Sequence, residues 1–206
     1  MSDAPEPKSF YTERLPEQFN RALREQERSV EASQRVLDGM RRARASIRVD
    51  VTGDGGGTFF LNIEDGELTP GESATQPLLL TLVQDRSAFE LMAAEAGDSA
   101  MGFLGGVSGL AGDMKLTSGR IENLAGVKGC LRFELLGEGG FALLTHFGPD
   151  PIPEQPDTQI RVDADAYRRL RSGELNPQDA FLGGQITVEG DMQLAMQIAL
   201  AALSPD

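Results

Sequence analysis

The chain holds a single histidine, His146, and a single cysteine, Cys130, which leaves nucleophilic and metal chemistry little to work with. A reactive thiol needs a base beside it or cationic neighbours that lower its pKa. Cys130 instead opens an alternating apolar run with Leu131 and no such motif. His146 shares a strand-like segment with Ala142 and Leu144 on its face, the setting of a structural histidine, satisfied or exposed. One histidine and one cysteine do not make a typical zinc site. The glycines of GDGGG, 53–57, invite a phosphate-loop reading, but a phosphate cradle needs a helix to start after them. Here Thr58, Phe59 and Phe60 begin a strand pattern, and a second segment, GEGG at 137–140, occupies the equivalent place before another strand. Both fit hairpin turns that need positive φ. Acidic residues are plentiful, but no pairing shows. The sequence predicts no enzyme, no metal and no cofactor.

The elements that must position any other function follow from a repeat. FLGG, five residues, GDM, one residue and Leu run from Phe103 to Leu116 and again from Phe181 to Leu194, offset by 78 with eight identities in the window. Chance rarely gives such a match in register, and a fixed period marks a duplicated unit. The likeness extends outward: Asp85, Ala88 and Phe89 stand 78 residues before Asp163, Ala166 and Tyr167, and SIRVDVTGDGGGTFFLNI (46–63) reads like CLRFELLGEGGFALLTHF (130–147). Each unit reads as strand, turn, strand, loop, strand, helix, Gly-rich segment, helix.

Bulk properties bound what such units can do. With 206 residues, 40% hydrophobic and 25% charged, the chain makes one domain or two small ones. No apolar run approaches the ~18 residues of a membrane span, and the N-terminus lacks a basic start and an apolar stretch, so no integral membrane segment and no secretory signal are expected. A cytoplasmic location is the default. The net charge of -13 argues against nucleic acid and anionic membrane surfaces, which are bound by concentrated Lys and Arg.

Residues 1–14 read as a disordered lead-in. From Leu15 to about Ala45, Phe19, Leu23, Val30, Leu37 and Met40 recur at helical spacing, an amphipathic helix over 15–45 whose opposite face carries solvated charges of mixed sign. Strands follow by alternation at Ile47, Val49 and Val51, then Phe59, Leu61 and Ile63. Leu131, Phe133 and Leu135 repeat the pattern, as do Phe141, Leu143, Thr145 and Phe147. Ser87 and Glu90 are spaced as a capping box, Asp163 or Asp165 caps the helix at Ala166 to Leu170, and Asn176-Pro177 starts another.

The last helix carries most of the functional expectation. From Asp191 to Leu203 its polar side chains after the cap are Gln193 and Gln197, and all others are apolar. Such a helix must be covered on several sides, by core, a second subunit or a ligand cavity; the pattern by itself favours core and subunit contact.

The segment 158–203, TQIRVDADAYRRLRSGELNPQDAFLGGQITVEGDMQLAMQIALAAL, resembles the C-terminal half of the sterol carrier protein 2 (SCP2) domain. Asn176, Pro177, Gln178, Ala180, Phe181, Gly184, Ile186, Val188, Gly190, Met192, Leu194, Ala195 and Met196 stand where that pattern places them. The resemblance covers about 127–206, with 46–126 a degenerate copy that lacks Asn-Pro-Gln and has VSGLA where the second has QITVE. It implies an α+β fold, a five-stranded twisted sheet with helices over one face and an apolar tunnel between them. It further implies non-catalytic binding and transfer of a lipid: sterol, fatty acid or acyl-CoA. The expected tunnel lining is Tyr167, Leu170, Phe181, Leu182, Ile186, Val188, Met192, Leu194, Ala195, Met196, Ile198, Ala199 and Leu203. Two alternatives remain at this stage: a tunnel-less interaction protein that homodimerises through the last helix, and an accessory subunit presenting lipid to an enzyme.

Overall fold

In a computed structural model of the chain, residues 15–96 and 115–203 are described. The first copy of the repeated string, apart from Lys115 and Leu116, lies outside them, as does VSGLA. The chain divides into a unit ending at Asp38 and a second beginning at Gly39. Helix α1, Leu15–Arg42, forms the described part of the first and enters the second. It stops three residues short of the expected Ala45, because Ala45 already pairs with Ile63 as the first residue of a strand. Phe19, Leu23, Val30 and Leu37, its expected apolar face, are exposed.

In the second unit β1 (Ala45–Thr52) turns into β2 (Gly57–Glu64), then β3 (Glu67–Gly71) and β4 (Leu78–Asp85). Helices α2 (Arg86–Ala96) and α3 (Ser118–Ala125) follow, and after them β5 (Gly129–Leu136), β6 (Ala142–Phe147) and β7 (Thr158–Asp163). The chain ends with α4 (Ala164–Arg171), α5 (Pro177–Leu182), β8 (Ile186–Gly190) and α6 (Met192–Leu203). The strands form one eight-stranded sheet in the order β3-β2-β1-β4-β6-β5-β7-β8. The expected five-stranded unit is therefore not closed on itself: 127–206 contributes four strands, and β4 pairs antiparallel with β6 through Leu82 opposite Thr145. An unpaired β6 would expose a row of backbone donors and acceptors. β4 satisfies them.

Local geometry recurs in the two halves. β1 pairs antiparallel with β2 and parallel with β4; β5 pairs antiparallel with β6 and parallel with β7. The turns at 53–56 and 137–140 both use positive-φ glycines, Gly53 (φ 95) and Gly55 (φ 69) against Gly137 (φ 104) and Gly139 (φ 76), and each leads into a strand, with no helix N-terminus there to cradle a phosphate. Asp85 accepts the N–H of Ala88 at 2.7 Å and Asp163 that of Ala166 at 2.8 Å. The cap of α2 is thus Asp85 rather than the Ser87 box, because β4 runs up to Asp85 and the helix begins at once.

Alternation sorts the sheet into two faces. Ile47, Val49, Leu82, Leu131, Phe133, Leu143, Val162 and Ile186 form one buried core with Met92, Ile121, Leu124, Tyr167, Leu194 and Ile198 of the helices. Removing such side chains from water is the main stabilising term here. On the opposite face Arg48 pairs with Asp50 at 2.9 Å, and Glu134 lies between Arg132 (2.7 Å) and Arg161 (3.1 Å), which reaches on to Glu189 (2.6 Å).

Candidate functional site

The repeated string has a mechanical explanation in its second copy. Gly183 ends α5. Gly190 has φ 89, and a Cβ there would strike the Asp157 carbonyl, so the chain passes too close to the 148–157 loop for any other residue. That approach is fastened by the N–H of Asp191 donating to Asp157 O (2.8 Å) and Thr158 Oγ1 donating to Asp191 O (2.6 Å). The Asp191 carboxylate then accepts the N–H groups of Gln193 (2.8 Å) and Leu194 (3.2 Å), capping α6. Gly-Asp-Met is a device for launching α6 from β8 at a fixed angle.

Helix α6 presents two apolar flanks with different fates. Leu194 and Ile198 are 3% exposed and join the core, with Ala201 beside them, and α6 packs on α3, β7 and β8. Gly129 leaves space at the sheet for Leu194. The other flank is uncovered: Met192 and Ala199 are exposed, as are Met196 and Leu200 at 59% and 66%. Of the covers expected for this helix, the chain's own core supplies one flank. One helix lying on a sheet can bury one stripe, and among the described residues no second layer lies over α6.

The remaining expected residues divide the same way. Tyr167, Leu170 and Ile186 are buried, Val188 and Ala195 are half-buried, and Phe181 and Leu182 are exposed; the side chain of Leu203 lies outside the described residues. Phe181 and Leu182 point off α5 because Ala180 takes the inward position with 0% exposure. The structure therefore groups Tyr167, Leu170, Ile186, Leu194 and Ile198 on one core and leaves Phe181, Leu182, Met192, Met196 and Ala199 at the surface. Two aromatic residues absent from the expected lining belong with the first group. Phe133 lies 6.0 Å from Phe141 and 6.1 Å from Tyr167, ring centre to ring centre, and Phe141 meets Tyr167 edge-on at 6.5 Å. Their alternation marked them as strand residues, but nothing in it said that Tyr167 would come down on them.

The sheet register also joins the histidine and the cysteine, which stand directly opposite one another on β6 and β5. This makes no nucleophile. The thiol is fully buried and is pushed up to about 11, first by burial and then by the Asp157 carboxylate, which accepts the Cys130 backbone N–H at 2.8 Å. His146 Nε2 meets the Asp150 carbonyl at 2.8 Å, which ties the strand to the 148–157 loop, while its buried Nδ1 has no hydrogen-bond partner. No cluster among the described residues has the make-up of a metal site, and none of the described helices is long and apolar enough to cross a membrane. On the outer face, Arg132 and then Arg161 hold the Glu134 carboxyl below its ordinary range against partial desolvation, a solvated network rather than a reaction centre.

One buried group had no sequence signal. Gln84, 3% exposed, lies on the core face of β4 between Val51 and Leu143, and neither end of its amide has a hydrogen-bond partner.

Solved structures similar to the chain include sterol carrier protein 2 like 2 from Aedes aegypti (21% identity over 35% of this chain and 72% of that one, TM-score 0.29). Sterol carrier protein 2 from Yarrowia lipolytica in its apo form is another (16%, 56% and 89%, 0.30), and the sterol carrier protein domain 2 of Helicoverpa armigera a third (25%, 55% and 83%, 0.28). Superpositions this loose carry no argument about this fold. No curated protein matches. The sequence model of the SCP-2 sterol transfer family matches residues 117–202, a span from the cap of α3 to the end of α6 that includes the Gly-Asp-Met launch and both flanks of the last helix. The likeness of this chain to the SCP-2 sterol transfer family is carried by residues 117–202.

Proposed function

We propose that the protein binds and transfers a single lipid, a sterol, fatty acid or acyl-CoA, without covalent chemistry, and does so in the cytoplasm. The hydrocarbon lies between α6 and the sheet, against Tyr167, Leu170, Ile186, Leu194 and Ile198, with Met192, Met196, Ala199, Phe181 and Leu182 as the rim it crosses. The observation that carries this reading is the two-sided α6: a helix with an apolar flank in the core and another left to water accommodates a guest by shifting outward, and methionine side chains deform readily around one. The energetics suffice. Burying about 15 methylenes gains roughly 12 kcal/mol, association costs at least about 4, and the remaining ~8 kcal/mol corresponds to micromolar affinity.

The domain organisation we propose with it is a lead-in at 1–14, the helix Leu15–Arg42, and tandem units that follow it up to 126 and over 127–206, the first serving as a structural partner. Its support is the recurrence of hairpin, parallel strand and Asp-capped helix. A second reading rests on the same exposed flank, a homodimer formed across Met196 and Leu200. The test is native mass spectrometry of purified and delipidated protein. Adducts of lipid mass that re-form on adding fatty acid or sterol, and are lost in Met196→Arg, are expected. No uptake by the wild type, with Met196→Arg altering oligomeric state alone, would overturn lipid binding and leave the dimer.

A further inference from the structure

Gln84 occupies a position where the fold itself asks for a hydrocarbon. β4 stands to the β1–β2 hairpin as β7 stands to the β5–β6 hairpin. The residue opposite Val51 is Gln84, and the residue opposite Leu135 is Val162, which is 0% exposed. Each immediately precedes the aspartate that caps the next helix. Nothing in the packing therefore requires an amide there. Three other buried polar side chains of the sheet are satisfied: Ser46 Oγ donates to Asn62 Oδ1 (2.5 Å), Asn62 Nδ2 donates to Ser73 O (3.2 Å), and Thr158 is tied to Asp191; His146 uses Nε2 and leaves only Nδ1 unpartnered. Gln84 keeps two donors and a carbonyl acceptor unused, an arrangement that proteins rarely tolerate without a partner.

We propose that Gln84 is the polar anchor for the head of the bound lipid, with Nε2 donating to, and Oε1 accepting from, an uncharged hydroxyl. This rests on the lipid-binding reading and adds the end of the molecule that is recognised. The amide offers one donor side and one acceptor side, which a hydroxyl satisfies together; a carboxylate, having no donor, would leave Oε1 unused. The neighbours across the strands, Val51 and Leu143, carry no charge to compensate an anion. The buried cation of α3, the helix that packs on β4, donates from Arg120 Nη1 to the Lys115 carbonyl at 2.7 Å. β4 lies outside 117–202, so the anchor comes from the half of the chain that the family match does not reach. The distance is workable. Three strand spacings separate β4 from β7, about 14 Å, less than the length of a 16-carbon chain at roughly 1.3 Å per methylene.

Hexadecan-1-ol, its methyl ether and cholesterol, each delivered from cyclodextrin to delipidated wild type and Gln84→Leu, test this. Wild type is expected to bind the alcohol roughly five- to tenfold tighter than the ether, which accepts from Nε2 but cannot donate to Oε1, and Gln84→Leu to lose that preference. Loss in the cholesterol arm in place of the hexadecanol arm assigns the hydroxyl to a ring lipid. A preference that survives in Gln84→Leu overturns the anchor and leaves lipid binding standing; no binding of any of the three by wild type overturns both. Should the variant fail to fold, the side-chain amide signals of Gln84 in the 15N-labelled wild type decide. They shift on adding the alcohol but not the ether if the proposal holds, and stay still if the amide meets water alone.

Discussion

The thiol of Cys130 is kept protonated by burial and by the Asp157 carboxylate that caps its own backbone N–H. Its ordinary value of 9.0 rises to about 11 in the folded chain, so folding favours the neutral form. That contribution to stability is complete below pH 9 and fades as the pH climbs toward 11. Urea midpoints at pH 8 and pH 10.5 are expected to fall further for wild type than for Cys130→Ala, and equal falls would show that the thiol does not carry the difference. Iodoacetamide at pH 8 should label Cys130 only as fast as the protein opens. Residue type and neighbours marked Cys130 and His146 as structural, but their pairing was invisible in the sequence, because positions sixteen apart come together only through the β5–β6 register. Gln84 was illegible for the same cause: a glutamine at the end of a strand reads as solvent-facing until the neighbouring strands close over it.

At the scale of elements, local chemistry was largely readable. Asn176 and Pro177 start α5, with the Asn176 side chain accepting the Gln178 N–H at 2.8 Å, and the hairpin glycines take the positive φ that the turns demanded. The two aspartate caps make a matched pair of predictions. Asp85→Ala and Asp163→Ala should each lower stability by about 1 kcal/mol, measured as a urea midpoint shift with unchanged slope, while Ser87→Ala should change it by much less, since Asp85 makes the cap. The composition of the last helix was legible in the sequence, but which of its flanks meets the protein's own core was not. Apolar residues all round a helix state what it could bury, whereas the number of layers above it sets what it does bury. Here that is the Leu194, Ile198 and Ala201 stripe.

At the scale of the molecule, the β4–β6 pairing joins the two halves into one sheet with a single core, and this predicts how the unit from Gly39 onward unfolds. In a Tyr11→Phe background, which leaves one of the two tyrosines, Tyr167 fluorescence reports on the second half and far-UV circular dichroism on both. Coincident urea transitions by the two probes are expected for one cooperative unit, and separated midpoints would mean that each half holds its own core. Turns, caps, strand alternation and the likeness of 117–202 to a family pattern were determined by the sequence itself, since each depends on residues a few positions apart or on a string that matches as a string. The tertiary structure alone decided that eight strands share one sheet, that α6 leaves a flank to water, and that Gln84 is sealed in an apolar face without a partner. Each of these depends on which strand lies beside which, and strand pairing is fixed by the burial of the whole face at once.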